Sequence, residues 1–111
     1  MGLMDNSTYV SVREMSESLR RREVSSVELT QLHLGRISSL DPSLGAYLTV
    51  SSELALSQAR DADSRLAASE EAGPLLGIPM QLKDNLCTRG VTTTCGSKML
   101  ENPKGKQALR R

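Results

Sequence analysis

Gly73-Pro74-Leu75-Leu76-Gly77-Ile78-Pro79-Met80-Gln81-Leu82-Lys83-Asp84-Asn85 is the stretch on which the reading of this chain turns. Within it Ile78, Met80 and Leu82 alternate with Gln81 and Lys83, a period of two that predicts a strand with its apolar side toward a core. Proline is tolerated at the first residue of a strand, so Pro79 marks where it opens. Lys83 then falls at the strand's C-terminal end, opposite the apolar set and just before a polar Asp84-Asn85 turn. Open α/β sheets gather ligands beyond the carboxyl ends of their strands. A lysine desolvated there loses its proton more readily and can act as a general base. On spacing alone, a solvated lysine at a strand end is the simpler reading.

The longer string adds to that spacing. Gly73 to Asn85 resembles the start of the amidase-signature core. Its continuation, Cys87-Thr88-Arg89-Gly90-Val91-Thr92-Thr93-Thr94-Cys95-Gly96-Ser97-Lys98-Met99-Leu100-Glu101-Asn102, resembles specifically the A subunits of the glutamyl-tRNA(Gln)/aspartyl-tRNA(Asn) amidotransferases. Upstream, Ser25-Ser26-Val27-Glu28-Leu29-Thr30 and Leu44-Gly45-Ala46-Tyr47-Leu48-Thr49-Val50 fit the same subunits. The resemblance runs from about Ser11 to Asn102. It implies an α/β fold, a mixed sheet flanked by helices, of which these residues would supply N-terminal helices and the first strands, incomplete. The implied organisation is a disordered N-terminus at 1–10, the N-terminal part of an amidase-signature domain at 11–102, and a divergent basic tail at 103–111.

The family acts through a Ser-cis-Ser-Lys triad, with both serines in a Gly/Ser-rich stretch downstream of the lysine. No Gly-Ser-Ser-Gly-like stretch occurs in the 111 residues, so only Lys83 carries over as a catalytic residue. In a complete subunit the resemblance implies that Lys83 takes a proton from the bridging serine, which activates the nucleophilic serine toward the side-chain amide of glutamine. The ammonia passes to a partner subunit that uses ATP and Mg²⁺ to amidate Glu-tRNA(Gln) or Asp-tRNA(Asn), and a third small subunit completes a heterotrimer of A, B and C subunits. No cofactor and no metal is expected on this chain itself. Two other readings stand beside this one: a fragment of a general amide hydrolase of the same superfamily, and a non-catalytic module that binds a partner subunit. The isolated 111 residues are expected to be inactive, with open sheet edges and marginal stability.

Composition agrees with an incomplete domain. Two tyrosines and no Phe or Trp leave little aromatic material for a self-sufficient core. The net charge of +1 conceals an asymmetry: Lys104, Lys106, Arg110 and Arg111 lie in the last eight residues, and residues 1–103 keep ten basic against thirteen acidic side chains. Four charges without interleaved aromatics are a thin basis for nucleic-acid recognition; a change of composition where the resemblance stops fits a frameshift or premature stop better. No stretch has the apolar length of a signal peptide or membrane span. The chain reads as cytoplasmic, with reduced thiols. Cys87 and Cys95 have no zinc or Cys-x-x-Cys spacing.

The first half reads as helices. Ser11 with Glu14, and Ser25 with Glu28, are capping-box signatures. The first precedes a stripe of Val12, Met15 and Leu19, the second a stripe of Leu29, Leu32, Ile37 and Leu40. Gly35 inside the second helix costs about 1 kcal/mol relative to alanine, and Asp41-Pro42 is expected to end it. His33 sits beside the apolar stripe and reads as packing. Ala46 to Val50 suggest a brief strand. Ser51 or Ser52 then caps a third helix, with Ala55, Ala59, Ala62 and Leu66 inward and Arg60, Asp61, Asp63 and Arg65 largely outward. The Thr92-Thr93-Thr94 run suits a strand or extended segment, and Ser97 reads as a helix N-cap rather than a nucleophile.

Overall fold

The computed structural model describes residues 10–68, 73–87, 89–91 and 93–98. The chain divides into two units, the first ending at Pro79 and the second beginning at Met80. Residues 1–9 of the expected disordered N-terminus, the whole tail 103–111 and the helix expected after Ser97 lie outside the described residues, except Lys98.

Three helices make up the first unit: α1 (Val12–Arg20), α2 (Ser26–Leu44) and α3 (Ser52–Ala67). Both capping boxes form. Glu14 N–H donates to Ser11 Oγ at 3.1 Å while Ser11 N–H donates to the Glu14 carboxylate at 2.8 Å. The Ser25–Glu28 pair repeats the exchange at 3.0 and 3.3 Å. Ser51 stands at the N-cap of α3, but its side chain makes no capping bond.

α1 ends in a Schellman motif. Arg22 N–H donates to Leu19 O at 3.2 Å and Glu23 N–H to Ser18 O at 3.0 Å. The residue in the left-handed region is Arg22, at φ 61°, where glycine is the usual choice. Its guanidinium crosses to the end of α3 and donates to Leu66 O at 3.1 Å and Ala67 O at 3.3 Å. A cation is thus placed on the negative end of that helix.

Asp41-Pro42 does not end α2: the helix runs through Pro42 to Leu44 and stops at Gly45, whose φ is 64°. The bias against helix before a proline is outweighed here by what closes the last turn. Gly45 N–H donates to Asp41 O at 2.7 Å, and the Asp41 carboxylate accepts from Ala46 N–H at 2.7 Å and Tyr47 N–H at 3.2 Å. These bonds occupy the Ala46 and Tyr47 N–H groups at the start of the expected Ala46–Val50 strand, and no strand forms there.

The core of this unit is Leu19, Val24 and Leu29, with Val10, Met15, Leu66 and Ile78 packed against it. Full burial of a leucine side chain is worth about 1.5–3 kcal/mol, so Leu19 and Leu29 are its main apolar anchors. α2 packs on α3, whose Ala59 and Ala62 are buried as their spacing predicts. The stripes are buried only in part: Val12 and Leu40 remain exposed. His33 is half-buried and bonds through Nδ1 to Leu29 O at 2.8 Å, a packing role.

The described residues form no strand, and the mixed sheet is not among them. Ile78 packs on the helical core, whereas Met80 and Leu82 are 66% and 54% exposed. An alternating run becomes a strand only when a neighbour pairs with its backbone, and no described residues supply that ladder. No helix among the described residues is long and apolar enough to cross a membrane.

Candidate active site

The segment leading to Lys83 is clamped by serines of the two N-terminal helices. Ser16 Oγ donates to Pro74 O at 3.0 Å, and Ser26 Oγ donates to Gly77 O at 2.8 Å. Both serines are buried. Arg20 reinforces the first clamp, donating to Gly73 O at 2.9 Å and to the Ser16 hydroxyl. Within the segment Leu76 N–H donates to Gly73 O and Ile78 N–H to Leu75 O, two successive turns. Gly77 is the third residue of the second turn at φ 86°, and a Cβ there would lie 3.2 Å from Leu19 Cδ1 and 3.5 Å from Leu66 Cδ1 and Ser26 Cβ. The backbone angle favours glycine, and an added Cβ would press on the Leu19 side chain.

Ser26 is also where α3 meets the start of α2. The Asp63 carboxylate accepts from Ser26 N–H at 2.7 Å and Val27 N–H at 3.1 Å. With Glu28 taking the Ser25 N–H and Ser25 Oγ taking the Glu28 N–H, all four donors left open at this helix start are bonded. Asp63 was expected largely outside; it is half-buried. Its place four residues after Ala59 and three before Leu66 was the available signal, since these spacings share a helix face.

In the second unit, Lys83 is exposed, and among the described residues no hydrogen bond or ion pair holds its ammonium group. It opens a turn in which Leu86 N–H donates to Lys83 O at 3.0 Å. The turn is fixed by its second residue. The Asp84 carboxylate accepts from Thr94 N–H at 2.8 Å, from the Thr94 hydroxyl and from Gly96 N–H at 3.2 Å. The Asp84 carbonyl accepts from Cys95 N–H at 3.0 Å. Thr93, buried, donates from Oγ1 to Leu86 O at 3.3 Å. Of the strand or extended segment expected at 92–94, Thr93 and Thr94 form no strand and are bonded to the lysine-bearing turn. Cys95 and Gly96 at φ 51° and 77° turn the chain so that several donors meet one carboxylate.

The Thr94 hydroxyl and N–H, with smaller help from Gly96 N–H and the Lys83 charge, hold the Asp84 carboxyl below its ordinary range; desolvation opposes them. Cys87 and Cys95 are free and exposed. Ser97 N–H donates to Thr94 O at 2.8 Å. No three His, Cys, Asp or Glu side chains among the described residues are grouped to hold a metal ion. The arrangement presents one primary amine on a turn anchored by a threonine–aspartate cluster. An amine so placed can move a proton, and it needs a nucleophile and an oxyanion site from elsewhere.

Residues 28–108 match the family model described as Amidase. The chain belongs to the amidase family. It is 56% identical over 92 residues to the A subunit of the Methylococcus capsulatus glutamyl-tRNA(Gln) amidotransferase, covering 83% of this chain and 19% of that relative. The corresponding protein of Thermosynechococcus vestitus is 53% identical over 91 residues, 82% of this chain and 19% of the relative. That of Carboxydothermus hydrogenoformans is 44% identical over 94 residues, again 19% of the relative. This amidase-family chain thus spans about a fifth of the length of the curated relatives it matches. No solved structure matches it.

Proposed function

We propose that this chain is the N-terminal part of a glutamine-hydrolysing amidotransferase A subunit that supplies ammonia for converting Glu-tRNA(Gln) or Asp-tRNA(Asn) to the correctly amidated form. The observation that carries the reading is the 56% identity to the A subunit of a glutamyl-tRNA(Gln) amidotransferase over 83% of the chain. Lys83 is the general base of the complete site. It takes the proton of a bridging serine that lies, with the nucleophilic serine, downstream of these residues. The completed α/β domain supplies the mixed sheet that pairs the Met80–Lys83 run and buries the lysine; a desolvated amine gives up its proton more readily. ATP and Mg²⁺ are used by the partner subunit, while the A, B and C subunits form the working heterotrimer in the cytoplasm. The 111 residues alone, with the lysine and neither triad serine, hydrolyse no glutamine.

The test joins residues 1–102 to the rest of the Methylococcus capsulatus A subunit; ammonia release from glutamine is then assayed in the assembled complex. The joined protein is expected to be active, Lys83→Ala to abolish activity, and asparagine or simple amides to be poorer substrates. A Lys83→Ala protein as active as its parent overturns the assignment of the base. A parent that prefers simple amides over glutamine favours a general amide hydrolase.

A further inference from the structure

The geometry points to Thr94 as a positioning residue that acts through Asp84 to fix the turn from which Lys83 reaches the reacting atoms. This inference rests on Lys83 being the base. Lys83 has no hydrogen bond or ion pair of its own among the described residues, so its ammonium is placed through the backbone that carries it. That backbone is tied at successive points to one short loop. Thr94 gives the adjacent Asp84 two donors, its N–H and its hydroxyl, and Thr93 Oγ1 holds the far end of the turn at Leu86 O. Gly96 N–H and Cys95 N–H complete the grip on Asp84.

The hydroxyl of Thr94 is the replaceable part. The Thr94, Cys95 and Gly96 amides stay whatever side chain stands at 94, but removing the hydroxyl leaves one Asp84 oxygen with Gly96 N–H as its remaining donor at 3.2 Å. Asp84 directs its acceptor oxygens at the loop, and the Lys83 charge is a smaller cause of its lowered carboxyl than the Thr94 bonds. Threonine and valine have nearly the same shape, so Thr94→Val removes the hydroxyl's bond to Asp84 and its long contact from Gly96 N–H at 3.4 Å, and little else. Misplacing a reacting group by about 1 Å can cost on the order of 100-fold in rate.

In the joined, assembled protein, Thr94→Val is expected to lower kcat for glutamine roughly 10- to 100-fold, with KM within about twofold and the complex still assembled. Thr94→Ser, which restores the hydroxyl, is expected to recover most of kcat. Unchanged kcat in Thr94→Val, a loss expressed in KM alone, or equal loss in the serine and valine variants overturns the inference. Lys83→Ala, assayed alongside, separates the two failures. If it is inactive while Thr94→Val equals the parent, only the positioning role falls; if it is active, both fall. Should Thr94→Val fail to assemble, the amide signals of Thr94 and Gly96 in the 111-residue chain decide. A common acid titration below the ordinary carboxylate range supports the cluster, and its absence overturns it.

Discussion

Replacing Asp63 by alanine tests whether the start of α2 is held from α3. The carboxylate accepts two backbone N–H bonds, at 2.7 Å from Ser26 and 3.1 Å from Val27. Hydrogen bonds to a charged group contribute about 1.5–3 kcal/mol each, though Asp63 is only half-buried and part of that is screened. Ser26 is 2% exposed, so its N–H has little water to turn to, and a buried donor left unpaired costs about 1–3 kcal/mol. The charge also complements the positive end of α2, worth about 0.3–1 kcal/mol. These terms overlap because the two bonds share one acceptor group, which puts the loss at about 2–4 kcal/mol. For a domain of this size that lowers the melting temperature by very roughly 10–25 °C. The assay is urea and thermal unfolding of the 111-residue chain followed by helical circular dichroism, with Asp61→Ala as control. Asp61 is exposed on the same helix, and its loss is expected to change stability by less than about 0.5 kcal/mol. Equal effects at the two positions would refute the reasoning. They would make Asp63 one more surface charge on α3.

Three further outcomes follow from the same structure. Gly77→Ala is expected to destabilise the first unit by more than the roughly 1–2 kcal/mol of a left-handed non-glycine residue, because its Cβ also meets Leu19 Cδ1 at 3.2 Å; a loss under about 0.5 kcal/mol in urea unfolding contradicts this. Arg22→Ala keeps the left-handed strain and loses the bonds to Leu66 O and Ala67 O, whereas Arg22→Gly relieves the strain. Glycine should therefore be the more stable variant by about 1 kcal/mol, and equal stability argues against the strain. The Asp84 carboxyl is held below its ordinary value near 3.8, first by the Thr94 hydroxyl. The stability it lends is complete above that ordinary value and is lost as pH falls through the lowered one. Amide spectra of Thr94 and Gly96 recorded from pH 6 to 2 should keep the native pattern at pH 4 and lose it below; loss beginning above pH 5 contradicts the sign.

The helix starts were legible because a capping box is local. Ser11 with Glu14, and Ser25 with Glu28, bond within one turn whatever surrounds them. The inward face of α3 was legible for a similar reason, since Ala59 and Ala62 follow the helical period. The end of α2 was not. Pro42 biases the backbone against helix, but the bonds made by Asp41 to Gly45, Ala46 and Tyr47 decide the outcome. The strand expected through Met80 and Leu82 failed as a statement about the described residues because alternation specifies a face, and pairing requires a second strand.

By itself the sequence determined the three helices, the family through the Gly73–Asn85 and Cys87–Asn102 blocks, and Lys83 as the candidate base. Only the tertiary structure decided which distant groups bond to one another within each unit. Ser16 and Ser26 clamp the 73–78 loop from more than 50 residues away, Asp63 closes α2 from α3, and Thr94 grips Asp84 across ten residues. Such bonds join polar side chains to backbone groups distant in the chain. They leave no periodic trace in the sequence, because any serine, threonine or aspartate could make them and only the folded backbone selects which ones do.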